Sequence, residues 1–482
     1  MTNANHQDSL KLHKTFAVVS MLFFCSVVCV AESGPALMKN GDNTPIPCII
    51  DGKMGFCHTD GSPAIDGKYD EVKSFSEGLA AVRVGGNWGF VDKTGKEAIH
   101  IEYDNVGNFH EGFATVTKST RSGFVDKTGK ELIPLEYDFA GDFHNGVAVV
   151  ESGRNWGVPE RMSGGKYGLI DKTNKIIMAP KYNEISDFHE GFAKVELGRK
   201  WSDSEDWSAE VIGGKYGFID KTGKEIVTPK YTWAGNFHEG LAEVALDGKY
   251  GFIDKTGREI VQLKYDTAEQ FQEGFASVEL NGQYGFIDET GREVVPLRYA
   301  WVRSFYRGVA LVAVNDTVRV SNNADVIELI DQAGKKIVSL KYGYASDFKE
   351  GFAIVELNGK RGFIDNTGRE IIPPKYDAVD VFDHGYAKIL SGGRWGFIDK
   401  TGKEVIAPKY DDVGYFDGQT VPVKLNGEWG VIDKTGKTTI PFRYDFINSF
   451  QNDRAEVSLK GQSGHIDRWG RFREEMIVDI GD

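Results

Sequence analysis

Cysteine is scarce in this chain: four in 482 residues, at Cys25, Cys29, Cys48 and Cys57. That excludes a disulfide-dense scaffold. Cys48 and Cys57 alone do not make a zinc site, which takes four ligands. Long apolar runs are nearly absent. Only Phe16–Val30 qualifies, and its 15 residues fall short of the roughly 20 that a bilayer-spanning helix needs. Positive charge is in deficit, with 57 Lys and Arg against 71 Asp and Glu and a formal net charge of -14. A nucleic-acid binder usually carries a basic face, and none is visible. No stretch keeps a helical period with caps at its ends. Catalytic signatures are missing: no Gly-x-Ser-x-Gly, no His-Glu-x-x-His, no phosphate-binding glycine loop. Asp and Glu are common enough that composition leaves a glycosidase open. An active site usually breaks a repeat, however, and no unit here breaks so as to gather an acid and a base. We therefore expect no enzyme activity and no cofactor.

What is present is glycine, 58 residues, with 40% hydrophobic and 12% aromatic residues. That balance fits a turn-dense, thin-cored fold and not disorder.

The first 31 residues stand apart. Lys11 and Lys14 precede the apolar run, which ends Cys29-Val30-Ala31. Small residues three back and one back from a cut after Ala31 read as a secretory signal; an uncleaved anchor is the alternative. Cys25 makes a poor lipoprotein site because bulky Phe23 and Phe24 precede it. Cleavage would remove Asp8, Lys11 and Lys14, a net of +1, leaving -14 - 1 = -15. The expected organisation is a signal peptide at 1–31, a linker at 32–47, a repeat array at 48–470 and a tail at 471–482. A secreted or periplasmic location follows, with no membrane insertion after cleavage. Cys48 and Cys57 flank Asp51-Gly52, a hairpin turn signal, with the parity to face one side, directly or diagonally paired. A disulfide stapling this first hairpin is the expectation; two buried free thiols are the alternative.

From Gly55 onward the chain repeats itself. One phrase returns as Gly, an apolar pair, Asp, two residues and Gly. Its Asp is Asp92, Asp126, Asp171, Asp220, Asp254, Asp288, Asp331, Asp365, Asp399, Asp433 and Asp467; seven of the ten intervals are 34 residues. A degenerate first copy precedes them at Gly55-Phe56-Cys57-His58. Such a period means a tandem array of one supersecondary unit, with atypical units capping its ends. In the copy at 239–271, Leu241, Val244 and Leu246 lie in a β-rich run. Asp247-Gly248 is a hairpin turn, Phe252 and Ile253 belong to a second strand, and Lys255-Thr256-Gly257-Arg258 is a second turn. A third strand runs from Ile260 to Tyr265. Pro134, Pro180, Pro229, Pro296, Pro373 and Pro408 recur in third strands, which places those strands at an edge or an exit. The fold class is all-β: about twelve units of some three antiparallel strands. Twelve exceeds the usual 4–8 blades of a propeller, whose blades normally have four strands. An open superhelical array is favoured over one or two propeller-like rings.

Two aromatic columns accompany the period. One runs Tyr69, Tyr103, Tyr137 and onward to Tyr444; the other runs Phe75, Phe109, Phe143 and onward to Phe450. Stacked units would bury these rings against one another. Asn87-Trp88-Gly89-Phe90, Arg394-Trp395-Gly396-Phe397-Ile398-Asp399 and Glu428-Trp429-Gly430-Val431, with the turn, the Pro-Lys-Tyr-Asp and the Phe-x-x-Gly elements, resemble the WG-containing repeat family. The resemblance spans roughly residues 48–470. Tyr167, Tyr216, Tyr250 and Tyr284 replace the Trp, and Ser122, Arg361 and Ser463 depart further. It implies a β-rich repeat and brings no defined activity.

Three features are candidates for function. The Asp column fits turns pinned by carboxylate-to-backbone bonds; a calcium loop would need an Asp-x-Asp-x-Asp-Gly series, which is missing. His110, His144, His189 and His238 share one repeat position in four consecutive units, with Glu111, Glu190 and Glu239 after three of them. As a row they would bind a transition metal if the rings stack closely. As turn residues they need no ligand, and later units carry Gln272, Tyr306, Lys349, Asp417 and Gln451 there. Third, units carry 11, 15 and 9 extra residues before Asp171, Asp220 and Asp331. These insertions, Ser152–Gly165, Gly198–Gly214 and Asn315–Asp325, all replace the first hairpin tip. Insertions on one face of an array often mark its binding face. The first two bring Trp156, Trp201 and Trp207, with Asp203, Glu205 and Asp206 between the last two. Trp beside carboxylates suits sugar rings, cationic groups or a protein patch; a self-packed, tolerated loop is the other reading. The expectation is an exported, monomeric, non-enzymatic scaffold that binds a protein or glycan through these hairpins. A metal-binding or hydrolytic envelope protein using the His row is the alternative.

Overall fold

The computed structural model describes residues 44–155, 164–201, 211–314, 326–451 and 453–474. Every regular element among them is a β-strand. The strands form eleven antiparallel sheets in tandem: one of three strands, one of seven and the rest of four. The fold is all-β, and its repeating unit holds the three expected long strands and one more. In the unit chosen above these are a short strand, Trp233–Ala234, followed by Leu241–Leu246, Lys249–Asp254 and Glu259–Tyr265. The short strand pairs with the first long one through Trp233↔Ala245 and Ala234↔Val244. Two residues cannot display a period of two, so this fourth strand left no trace in the hydrophobic pattern. The seven-stranded sheet arises where Glu293–Val302 serves as the third strand of one unit and the short strand of the next.

The glycine of each repeat has a steric cause. Pairs Tyr250↔Tyr265 and Phe252↔Val261 leave three residues of the third strand opposite Gly251 alone, a bulge that brings the strand in close. A Cβ on Gly251 would lie 2.4 Å from the Val261 carbonyl oxygen and 2.9 Å from backbone atoms of Gln262. The same approach recurs at Gly123 (2.5 Å) and Gly396 (2.5 Å). One unit carries Glu328 at this position. Its third strand shrinks to Lys336–Ser339 and pairs Glu328↔Ser339 and Leu329↔Val338 with no bulge over residue 328.

The core is a series of interfaces between neighbours. Leu241, Phe252, Val261 and Tyr265 of one unit pack with Phe271, Ala276, Val278 and Ile287 of the next. This is how units that cannot bury a face alone become stable. Both aromatic columns lie in these interfaces. Tyr182, Tyr231 and Tyr265 are fully buried, and Phe252 meets Phe271 edge-on at 4.8 Å. The Tyr182 hydroxyl donates to Glu225 of the following unit at 2.5 Å, and burial, then this bond, pushes its pKa up to about 12.

The first hairpin, Ile46–Ile50 and Lys53–Cys57, carries the Cys48–Cys57 disulfide, with Cα atoms 5.8 Å apart. The registers Ile46↔Cys57 and Cys48↔Gly55 make it the diagonal alternative. Among the described residues no sheet closes into a barrel, and no strand of the first sheet pairs with a strand of the last. The array is thus open in its strand pairing. Its terminal units nevertheless touch, through the Ile49 N–H donating to Asp467 Oδ2 at 3.1 Å.

Candidate functional site

All three insertions leave the array between the first and second long strands. The flanking strands are Val147–Ser152 with Lys166–Asp171, Phe192–Trp201 with Val211–Asp220, and Val309–Val314 with Val326–Asp331. Trp156, Asp203, Glu205, Asp206 and Trp207 lie outside the described residues, and Trp201 is described by its backbone alone, at the end of its strand.

What is described is how the insertions are rooted. Ordinary units turn after a pair such as Leu246↔Lys249. At the second insertion the ladder passes the equivalent pair, Leu197↔Lys215, and continues through Arg199↔Gly213, Lys200↔Ile212 and Trp201↔Val211. The stem therefore projects three pairs beyond the neighbouring hairpins. The first two insertions share an anchor. Arg154 donates to Glu151 from Nε (3.1 Å) and Nη2, and Arg199 Nη2 donates to the equivalent Glu196. Both glutamates are 2% exposed. Each fills space that a glycine leaves: a Cβ on Gly165 would lie 1.8 Å from Glu151 Oε1, and one on Gly214 would lie 2.2 Å from Glu196 Oε1. The backbone is held too, with Arg154 N–H on Asp138 Oδ2 at 2.8 Å and Gly198 N–H on Asn183 Oδ1 at 3.0 Å. The signal was present as Glu-x-Gly-Arg followed later by Gly-Gly, at 151–154 with 164–165 and at 196–199 with 213–214. Recognising it required knowing that the two segments share a root. Removing either arginine leaves a buried glutamate charge uncompensated, which is destabilising.

The histidines open tight turns. His110, His144, His189 and His238 each bridge to the residue three positions on, for example His110↔Phe113. The His110 and His144 rings are 5.6 Å apart, and His110 Nε2 lies 3.7 Å from Asp142 Oδ2. Among the described residues no group of three or more His, Cys, Asp or Glu is placed to hold a metal ion. The glutamates beside the row have another task, which the sequence did not reveal. Glu111 accepts the Asn145 N–H (2.5 Å) and Gly146 N–H (2.9 Å) of the next unit, and Glu239 accepts Glu273 N–H (3.0 Å) and Gly274 N–H (2.9 Å). Glu77, Glu190, Glu273 and Glu350 do the same for the units that follow them. Lys172 closes on Glu111 at 2.9 Å and Lys255 on Glu190 at 3.1 Å. Burial pushes the Glu111 carboxyl up, but the bonds from Lys172, Gly146 and Asn145 outweigh it and hold the group below the usual carboxylate range. This carboxylate ladder clamps one unit to the next. Asn145, Arg307 and His384 stand at its positions in other units.

The Asp column is a set of turn clamps. Asp254 Oδ1 accepts Thr256 N–H (2.9 Å), Thr256 Oγ–H (2.6 Å) and Arg258 N–H (3.1 Å). With its acceptors engaged inside the turn, it is not built as an ion ligand.

The family described as WG containing repeat matches eleven successive segments, from 54–88 through 216–250 and 395–429 to 429–462. The chain belongs to the WG-containing repeat family. The matched segments of this WG-repeat chain cover most of its length, so it is a β-rich repeat scaffold. No curated protein matches it. Solved structures with similarity include a eukaryotic initiation factor, at 10% identity over 82% of this chain and all of that one, with TM-score 0.35. The tricorn protease matches at 14% identity over 90% of this chain and 58% of that one, with TM-score 0.25. AztD from Citrobacter koseri matches at 15% identity over 57% of this chain and 93% of that one, with TM-score 0.25. Scores this low carry no argument about architecture or activity.

Proposed function

We propose that this repeat scaffold is exported and binds a protein or a glycan through the long hairpins on one edge of the array, without catalysing a reaction. The observation that carries this reading is the rooting of the two adjacent insertions. A merely tolerated loop needs no such anchor, yet at both roots a half-buried arginine, Arg154 or Arg199, donates to a buried glutamate, Glu151 or Glu196. The ladder at the second root continues to Trp201↔Val211, three pairs past the point where ordinary units turn. Rigidly held loops bind at lower entropic cost than free ones. Export is supported by the leader-like residues 1–31 and by a disulfide in the first unit, since disulfides persist in oxidising compartments.

The test compares the intact chain with a version whose three insertions are cut back to Asp-Gly. Both are used as bait against native envelope and medium fractions. A ligand held only by the intact chain is the expected result. Equal capture by a trimmed chain that still folds would remove the hairpins as the binding face. Export is checked by the N-terminal residue of the protein recovered outside the cytoplasm, expected to be Glu32.

A further inference from the structure

Arrays of repeats usually end in units that face water. Here the first and last units face each other. In the second unit, the short strand Glu71–Val72 lies along the edge of the first long strand through Glu71↔Arg83 and Val72↔Val82. Among the described residues the first sheet has three strands and no such partner for Ile46–Ile50. Ile49, one repeat of 34 residues before Arg83, would leave its N–H orphaned at that edge, and a buried orphan costs as much as a lost hydrogen bond. Asp467, from the last unit, takes its place: Oδ2 accepts the Ile49 N–H at 3.1 Å in a buried contact. The same carboxylate holds the terminal turn: Oδ1 accepts Trp469 N–H (3.0 Å) and Arg471 N–H (3.0 Å), and Oδ2 also accepts Arg471 Nε–H (2.6 Å). Asp467 is 0% exposed, while its equivalents, such as Asp254, are only half-buried.

Arg471 extends the contact. Its guanidinium donates to Cys57 Sγ at 3.1 Å and to the Gly61 carbonyl at 3.4 Å. Arg473 donates to the Asp70 carbonyl. Trp469 lies so close over Gly61 that a Cβ there would sit 2.7 Å from its Nε1. Both sulfurs of the disulfide belong to fully buried residues, and Arg471 covers one of them.

The geometry points to a thiol-sensitive clasp that joins the two ends of the array, in which closure and the Cys48–Cys57 disulfide protect each other. The disulfide fixes Ile46–Ile50 against Lys53–Cys57, so the Ile49 N–H and Cys57 Sγ are presented together to Asp467 and Arg471. Closure in turn shields the disulfide. Opening the clasp lets a dithiol reductant attack: one thiolate displaces a cysteine sulfur to form a mixed disulfide, and the second thiol resolves it. Two electrons pass to the protein, which ends with two protonated cysteines, and the reductant leaves as its cyclic disulfide. Because the coupling is reciprocal, losing the disulfide loosens the clasp.

The experiment uses the full oxidised chain and two readouts: amide exchange of the peptide spanning Ile46–Ile50, and the rate at which dithiothreitol frees Cys48 and Cys57 for alkylation. Arg471→Met and Asp467→Asn are each expected to speed both by tenfold or more. Asp433→Asn removes the same turn clamp one unit earlier, away from the seam, and is expected to leave both within twofold. Cys48→Ala with Cys57→Ala is expected to speed exchange at Gln462–Asp467, on the far side of the seam. Exchange of Ile46–Ile50 as fast in the native chain as in Arg471→Met, or equal effects of Asp433→Asn and the seam variants, would overturn the clasp. Unchanged exchange at Gln462–Asp467 without the cysteines would overturn its coupling to the disulfide.

Discussion

Replacing Gly251 by alanine places a methyl group where the third strand crosses the second. The new carbon would sit 2.4 Å from the Val261 oxygen and 2.9 Å from Gln262 backbone atoms. Ordinary C···O contacts begin near 3.3 Å, so the strand must retreat by roughly 1 Å. The obstructing atoms are backbone, so no side chain can swing aside. Retreat strains the flanking pairs Tyr250↔Tyr265 and Phe252↔Val261. Overpacking of this kind costs about 1–3 kcal/mol, and the rigid neighbours argue for the upper end. About 3 kcal/mol is roughly a hundredfold in a local opening equilibrium. Because array stability is nearly a sum of local terms, amide exchange in Lys249–Asp254 and Glu259–Tyr265 is the right assay, and protection there is expected to fall by about that factor. Gly248→Ala is the control. Nothing lies within 4 Å of a Cβ at Gly248, but its φ of +76° disfavours alanine by about 1 kcal/mol, roughly a fivefold loss. If Gly251→Ala loosens these strands no more than Gly248→Ala, the close-approach account of the repeat glycine is wrong.

Glu111→Ala deletes two backbone bonds and an ion pair between adjacent units. It is expected to cost about 2 kcal/mol at that junction, read as faster exchange in Phe113–Lys118 and Val147–Ser152 with distant units unchanged. The folded pKa of Glu111 is depressed. Its contribution is therefore complete above the ordinary glutamate value of 4.5 and is lost as pH falls through the folded value. Stability of this junction should thus fall as pH drops below 4.5, and Glu111→Gln should weaken that pH dependence. Glu243 has the opposite sign. It is 6% exposed, and burial, then the nearby Glu269, raises its pKa to about 8. The folded chain binds this proton more tightly than the unfolded one, so stability falls as pH rises from 4.5 to about 8 and is level beyond. Glu243→Gln should raise the urea midpoint at pH 9 and leave it nearly unchanged at pH 5; an equal change at both would contradict a protonated Glu243.

The sequence by itself determined the repeat, the all-β class, both hairpin turns and the sites of the three insertions. Each of these rests on local rules: Asp247-Gly248 sets a turn, alternation sets a strand, and a 34-residue period can only mean stacked copies. The burial of Tyr182 and Phe271 also followed, because a thin unit must hide its aromatic face against a neighbour. The tertiary structure decided what depends on atoms far apart in the chain. Gly251 recurs because Val261 bulges over it, a contact that no propensity encodes. Glu111 looked like a possible companion of the histidines until the Gly146 N–H of the next unit was seen beneath it. The common root of Glu151 and Glu196 emerged only when Gly165 and Gly214 proved to be the spaces their carboxylates fill. Asp467 and Ile49 are 418 residues apart. A period says that each unit meets the next, but only the accumulated turn from unit to unit settles whether the last one meets the first.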